Sequence, residues 1–447
     1  MTASAHVPAS RSPGVVPLAV QLGCVFGLGG LGSTAMAVAL PAAAAELELS
    51  AAQSTWIISL YVVAMAVGTP LYGRLVDAVG VRVPLVSGIA LMTLGALGTA
   101  TAVDFGVLVA ARLVQGLGSG VGATLAVAVI GTRFDGHERT RGLALAAGTA
   151  GAIGATGPLL GGVTESILTW RGTAAVPVLA ALVLIPLWRR VRGPGVGSRV
   201  DVVGAVLVAL GAAGTIMVVQ SPSSGAPVAW TGAVLALVAV PLVVRRSRRG
   251  AHVFLPASVL LDARIVRTCL LAGTVPAAWF ALLVAVPARL AERGWSPLLV
   301  GLTLVPSAVA ALLAPHLTVR LSRRVGVGPS LAIAAATAVA ALVSSGLGAL
   351  ADLPVPMVAG VALVSVAFSL GQPSLFTVVS ELAAPGNRGV AVGFATFVFL
   401  LCGSAGSALV GGLMPSLDVH GSLLVLALVC ACGGTSAGKG VWRFRAS

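Results

Sequence analysis

Charge is what this chain has least of. Asp, Glu, Lys and Arg together make up 9% of its 447 residues, whereas about a quarter is usual in a soluble domain. A soluble fold of this length would need far more polar surface, so lipid must solvate most of the outside. Lysine occurs once, at Lys439, and the other basic residues are all Arg. Cysteine is scarce as well: Cys24, Cys269, Cys402, Cys430 and Cys432 fall inside apolar segments. Their spacing suits neither a disulfide framework nor a metal site, and thiols in such surroundings act as small apolar residues. The sequence holds no nucleophile–base constellation, and its glycine string at Gly116 to Gly122 lies mid-segment rather than after a strand. Enzyme chemistry and ATP-driven work therefore lack support, and no cofactor is implied.

Apolar residues are plentiful, at 57%. The net charge of +14 does not indicate nucleic acid, because the charges form no face. They cluster between apolar runs, as at Arg189-Arg190-Val191-Arg192 and Arg245-Arg246-Ser247-Arg248-Arg249. About 20 apolar residues cross a bilayer. Reading between clusters gives fourteen spans: 16–42, 55–73, 83–103, 106–131, 142–166, 173–188, 202–221, 228–244, 268–290, 297–319, 329–350, 354–380, 388–413 and 421–437. With a cytoplasmic N-terminus, 23 of the 27 basic residues fall inside, which predicts a multi-pass membrane protein with cytoplasmic termini. Pro41-Ala42-Ala43-Ala44 offers a signal-peptide reading, but the run before it exceeds the roughly 7–15 residues of a signal core.

The chain resembles itself. Arg74-Leu75-Val76-Asp77-Ala78-Val79-Gly80 corresponds to Arg320-Leu321-Ser322-Arg323-Arg324-Val325-Gly326, and Arg141-Gly142-Leu143-Ala144 to Arg388-Gly389-Val390-Ala391. Duplicated six-helix halves mark large secondary transporters, with the substrate path between them. The repeat offset is too long for six helices, so two extra spans lie between the halves. The expected organisation is a cytoplasmic tail (1–15), an N-terminal six-helix half (16–188), two extra helices with cytoplasmic linkers (189–267), a C-terminal half (268–437) and a second tail (438–447).

Three segments carry chemistry. Between spans two and three, Gly73 and Gly80 permit a tight turn. Asp77 there can accept from helix N-terminal amides or pair with Arg82, Arg133 or Arg141; the plain alternative is an ordinary charged turn. Arg112 lies within span four, followed by Gln115-Gly116. An Arg inside a span is costly and faces the bundle interior, unless it snorkels to the interface. In span five, Gly154, Gly157 and Gly161 recur at helical spacing around Pro158, with Gly162 beyond. They form a side-chain-free strip on which another helix can pack closely or slide. Gly403-Ser404-Ala405-Gly406 and Gly411-Gly412 echo that strip in the second half.

These segments resemble the loop, fourth-helix and fifth-helix motifs of the major facilitator superfamily. In the first, Gly73, Arg74, Asp77, Gly80 and Arg82 stand where the family latches its cytoplasmic side. Arg112 stands where the family's Arg is linked to proton transfer. Gly154, Gly157, Pro158, Gly161 and Gly162 match the motif characteristic of antiporters. Val38-Ala39-Leu40-Pro41, Trp56, Tyr61, Asp201-Val202-Val203-Gly204-Ala205, Gly294-Trp295-Ser296-Pro297 and Asn387-Arg388-Gly389 are similar to the fourteen-helix drug:proton antiporters of the QacA/EmrB type. The resemblance runs from about residue 30 to 415. It implies an all-α polytopic membrane protein with the major facilitator fold: two six-helix halves plus two central helices. It also implies a monomer in a lipid bilayer that exports small amphiphilic drugs or an antibiotic-like natural product in exchange for protons.

The sequence departs from that family at one place. An Asp and an Asn usually precede the Ala-Leu-Pro of the first helix, and here the positions hold Gly32 and Ala37. No membrane-embedded carboxylate then remains in spans one to four. Arg cannot release a proton near working pH, which leaves few titratable groups. Glu165, at the outer end of span five, and His316, in the inner part of span ten, are the coupling candidates beside Arg112, with Asp77 and Asp201 at the cytoplasmic boundary. Glu165 reads equally as an interfacial partner of Arg171, and His316 as a packed polar residue. Without an acidic group to compensate a cation, the cavity candidates suit a neutral or weakly anionic amphiphile. They are Thr34, Met36, Tyr61, Gln115, Trp279, Gln372, Phe376 and Phe397. Two other readings stay open: a facilitator or importer of a small amphiphile on the same fold, and a transporter-like membrane sensor.

Overall fold

The computed structural model describes residues 14–191, 195, 197, 200–249, 253–384 and 387–442, and no side chains at 51, 140, 315–317, 319 or 435–442. Those residues are almost entirely helical. In chain order the helices are α1 (Val15–Glu46), α2 (Ala51–Val79), α3 (Arg82–Ala100), α4 (Phe105–Ser119), α5 (Val121–Arg133), α6 (Gly136–Ala155), α7 (Gly157–Ala175), α8 (Ala180–Arg190), α9 (Val202–Ser224), α10 (Ala226–Ser247), α11 (Ala257–Leu260), α12 (Ala263–Glu292), α13 (Pro297–Thr303), α14 (Val305–Val325), α15 (Val327–Leu350), α16 (Pro354–Leu382) and α17 (Arg388–Trp442). A short 3₁₀ turn, Val176–Leu179, joins α7 to α8.

The outside of this bundle is apolar, the inverse of a soluble protein. On α10, Trp230 is 73% and Leu237 74% exposed, while Arg112 on α4 is fully buried. Polar side chains instead start the helices. Ser50 and Gln53 form a reciprocal capping box on α2, and Asp104, Asp262 and Ser296 cap α4, α12 and α13. Each satisfies an amide that the first helical turn leaves without a partner.

Twelve helices among the described residues are long and apolar enough to cross a membrane. Length and composition alone thus do not establish the expected fourteen. Two of the twelve contain backbone breaks. Thr169 has φ 62° and ψ 177°, and Asp418 has φ 55° and ψ −176°, a region that only glycine visits freely. At Thr169 the chain reverses: Thr164 and Thr173 share a hydroxyl hydrogen bond of 2.7 Å, although nine residues of straight helix would span about 13 Å. The remainder of α7 and α8 then return across the bundle as a separate segment.

α1 packs on α6 and α7, and α3 and α2 on α4; in the second half, α12 packs on α17 and α15 on α16. α9 and α10 form a hairpin that touches α2 and α17 through α9. The halves meet along α2–α17 and α7–α13. One end of the bundle, the reversal end, carries Glu46, Arg171, Asp352 and the breaks at Thr169 and Asp418. The opposite, arginine-rich end carries Asp77, Arg82, Arg133 and Asp201.

Candidate functional site

Arg112 is the centre of the N-terminal half. Its side chain is wholly buried, so it faces the bundle interior and does not snorkel to the interface. Nε donates to the Ile57 carbonyl at 3.2 Å, and Nη1 to the Gly32 carbonyl at 2.9 Å and to Gln115 Oε1 at 2.8 Å. The guanidinium lies over the Tyr61 ring, 4.1 Å from its centroid. Tyr61, also fully buried, donates toward the Gly29 carbonyl and Ser119 Oγ, and Ser119 donates to the Gln115 carbonyl at 2.8 Å. Helix spacing explains the set, because Arg112, Gln115 and Ser119 lie three and four residues apart on one face of α4. Gly116 and Gly118 bring the backbones of α2 and α3 against α4, with no room for a Cβ. Every bond to the guanidinium comes from a neutral acceptor, and no carboxylate pairs with it among the described residues.

The glycine strip of the fifth span divides in two. A Cβ at Gly161 would fall 2.5 Å from the Ala35 carbonyl oxygen of α1, and Gly157 packs against Thr34. Gly162 faces the other half: a Cβ there would meet the Pro297 carbonyl oxygen at 2.5 Å and Gly301 Cα at 3.2 Å. Gly154 faces open space, as do Gly148 and Gly151, and the Gly154 carbonyl accepts from Thr34 Oγ1 at 3.2 Å. The expected continuous strip is therefore tight toward the reversal end and unpacked toward the arginine-rich end. The second half repeats the contact. Gly411 packs against Thr55 of α2, and Ser404 donates to the Ser59 carbonyl at 2.8 Å.

The loop after α2 is held differently from expectation. Asp77 is exposed and forms no salt bridge with Arg82 or Arg141 among the described residues. Arg82 Nε donates instead to the Val191 carbonyl at 3.0 Å, with its guanidinium over Trp188. Arg133 donates to the Arg190 carbonyl at 2.6 Å. Arg74 holds the carbonyls of Val253 and Phe254 at 2.9 and 3.1 Å. Guanidiniums within reach of free helix-end and loop carbonyls thus find acceptors other than Asp77. Gly80 does end α2 as expected, with φ 83°.

Asp201 is the junction the sequence underrated. Its side chain, 4% exposed, pairs with Arg246 at 2.7 Å, caps α9 at the Gly204 amide and accepts from the Phe254 amide at 3.0 Å. Burial alone would raise this carboxyl, but Arg246 and the two amides outweigh it and hold Asp201 below the ordinary carboxylate range. The same 253–254 segment holds Arg74, so one carboxylate ties α9, α10 and the end of α2 together.

At the reversal end Arg171 binds Glu46, at 2.8 Å, and the carbonyls of Ala100 and Ala102. Trp170 donates to the same carboxylate. The alternative Glu165–Arg171 pair is therefore not formed, because Glu46 competes for the same cation. Glu165 sits half-buried without a hydrogen bond or ion pair among the described residues. His316 lies on α14, and its side chain is outside the described residues.

The cavity candidates do not form one group. Thr34, Met36, Tyr61 and Gln115 are buried in the N-terminal half. Trp279 packs against Phe368 at 5.7 Å, and Phe368 edge-on to Phe399 at 5.3 Å. Phe397 is buried, while Gln372 and Phe376 are half-buried on α16. Ser59 and Gln220 carried no sequence expectation and Ser404 only that of the glycine echo, yet the three link α2, α9 and α17 through hydroxyl and amide bonds. A polar residue inside an apolar segment was the only signal of that link.

The fold and this interior match a known family. The model of the Major Facilitator Superfamily fits residues 22–407, and the chain belongs to that superfamily of membrane transporters. It is 35% identical over 247 residues to the cephamycin export protein CmcT of Amycolatopsis lactamdurans, which covers 54% of this chain and 48% of that one. It is 27% identical over 339 residues to the methylenomycin A resistance protein of Bacillus subtilis (strain 168), covering 73% and 72%. The chain spans about half or less of the length of the first curated relatives it matches. Among solved structures, a POT family transporter in complex with 5-aminolevulinic acid superposes with a TM-score of 0.70 at 13% identity over 94% of both chains. The xylose transporter XylE from E. coli superposes with a TM-score of 0.65 at 15% identity, over 96% of this chain and 97% of that one. Both share the fold alone.

Proposed function

We propose that this protein exports small amphiphilic molecules of drug or antibiotic type in exchange for protons, as a fourteen-span monomer with cytoplasmic termini in a bacterial inner membrane. Residues 16–188 and 268–437 are the two moving halves in this reading, 189–267 carries the extra helices, and 1–15 and 438–447 are the tails. The carrying observation is Gly162 against Gly301. It puts the antiporter-type glycine segment at the seam between halves, where it can seal and open one end of the path. Relatives described as an export protein and a resistance protein support the direction. The reversal near Thr169 and the similar break at Asp418 support fourteen spans, and the 23 basic residues expected inside support the orientation.

Glu165 and His316 are the proposed proton sites, with Arg112 modulating them. Glu165 is half-buried and uncommitted, as a group that must gain and lose a proton requires. Purified protein in proteoliposomes, tested with radiolabelled 1-naphthoate, 1-naphthylmethanol and the dication propidium, separates the readings. An antiporter concentrates a substrate in an acidic lumen, whereas a facilitator only equilibrates it and a sensor moves none. Glu165→Gln or His316→Ala should convert concentrative transport to equilibration. If neither alters coupling, the proton sites lie elsewhere.

A further inference from the structure

Arg112 and Gln115 present donors that the protein does not satisfy. Arg112 Nη2 and Gln115 Nε2 are buried and make no hydrogen bond. The Gln115 amide cannot resolve this by flipping, since its Oε1 already accepts from Arg112 Nη1 at 2.8 Å and a flip would set donor against donor. A buried guanidinium with only neutral acceptors also carries a full uncompensated charge, the costliest condition for a buried group.

Gln115 Nε2 borders position 32, and the Arg112 guanidinium reaches it through Nη1. A Cβ built on Gly32 would lie 3.2 Å from Gln115 Nε2 and 3.2 Å from the Tyr61 hydroxyl, and the Gly32 carbonyl itself accepts from Arg112. A carboxylate side chain at residue 32 would lie beside these polar groups once Pro177, whose Cγ is 3.1 Å from the same Cβ position, gives way. The chain instead has glycine there. The missing charge and the missing acceptors thus coincide at one place.

We infer that Arg112 and Gln115 bind the carboxylate of the transported molecule, at the position a residue-32 side chain would occupy. The anion supplies the acceptor for Nη2 and Nε2 and neutralises Arg112 by charge-assisted hydrogen bonds. The donors are closed off in this conformation, with Pro177 also against the Gly32 Cβ position at 3.1 Å, so binding requires α1 to shift from α4 and the Pro177 turn within the N-terminal half. The selected cargo is then a monoanionic amphiphile rather than a neutral one or a cation. This rests on the export reading above for its identification of the anion as cargo, but its binding chemistry is tested without transport.

The test is scintillation-proximity binding of radiolabelled 1-naphthoate to the purified full chain in nanodiscs, with empty nanodiscs as control. Unlabelled 1-naphthylmethanol, 1-naphthylmethylamine and sodium chloride serve as competitors. The expected result is saturable binding that neither naphthyl competitor displaces at equal concentration. The near-isosteric Gln115→Glu and the carboxylate-bearing Gly32→Asp each place an internal anion beside Arg112. Each should weaken 1-naphthoate by roughly tenfold or more, while thermal unfolding of ligand-free Gln115→Glu stays at or above wild type. The assignment is overturned by no saturable binding, by equal displacement by the alcohol, or by undiminished binding to Gln115→Glu. Displacement by chloride at stoichiometric rather than screening concentrations would also overturn it, assigning the site to a small inorganic ion. Carboxylate binding without proton-driven transport would leave the site standing and remove the export reading.

Discussion

Arg112 owes its placement to charge alone. A guanidinium in an apolar span has to face the interior, and its burial agrees. Two of its three acceptors, however, are backbone carbonyls of α1 and α2, which no motif names. Asp201 is the reverse case: its sequence context marks only a helix start, yet it holds three elements together. Because its carboxyl sits below the ordinary range in the folded protein, it contributes stability above the ordinary carboxylate pKa. That contribution is lost as pH falls through the lowered folded value. Asp201→Asn should therefore lower stability at neutral pH by about 1–3 kcal/mol, and flatten the acid limb of the thermal-unfolding profile below about pH 4. An unchanged acid limb would mean that Asp201 is not the linked group.

Among the elements, long apolar spans were readable to within a few residues, because a bilayer imposes a length that composition records. The breaks were not readable. Thr169 and Asp418 are residues that any surface turn accepts, and only their backbone angles show that the chain departs from the helix there. Both occupy a region in which a side chain costs roughly 1–3 kcal/mol. Thr169→Gly and Asp418→Gly should each raise the unfolding temperature of the purified protein, by relief of up to about that amount. A drop would mean that the helix ends on each side, rather than the reversal, set the conformation. The glycine strip was half legible. Spacing foretold a smooth face, but the choice of neighbour for Gly157, Gly161 and Gly162 depends on which helices the fold brings near.

Across the whole molecule, the halves touch at the reversal end through Gly162–Gly301 and Gly411–Thr55, while Gly148, Gly151 and Gly154, nearer the arginine-rich end, face open space. Gly162→Leu puts a side chain against the Pro297 and Gly301 backbone, which cannot yield as a flexible side-chain tip would. The expected outcome is a folded, monodisperse protein that cannot close the reversal end and has lost transport by about tenfold or more. Normal turnover in that variant would show that the seam does not have to close. The Asp201–Arg246–Phe254 tie between α9, α10 and α2 was not legible in the sequence, because it depends on contacts distant in sequence.

Proton-coupled export is most directly tested in proteoliposomes with an acidic lumen, by following 1-naphthoate and lumenal pH together. Passive partition of a weak acid drives it toward the alkaline side. The expected result is the opposite: accumulation in the acidic lumen with simultaneous proton loss, abolished by nigericin and absent from empty liposomes. Accumulation in the alkaline compartment at the rate of empty liposomes, with no proton movement, would contradict it.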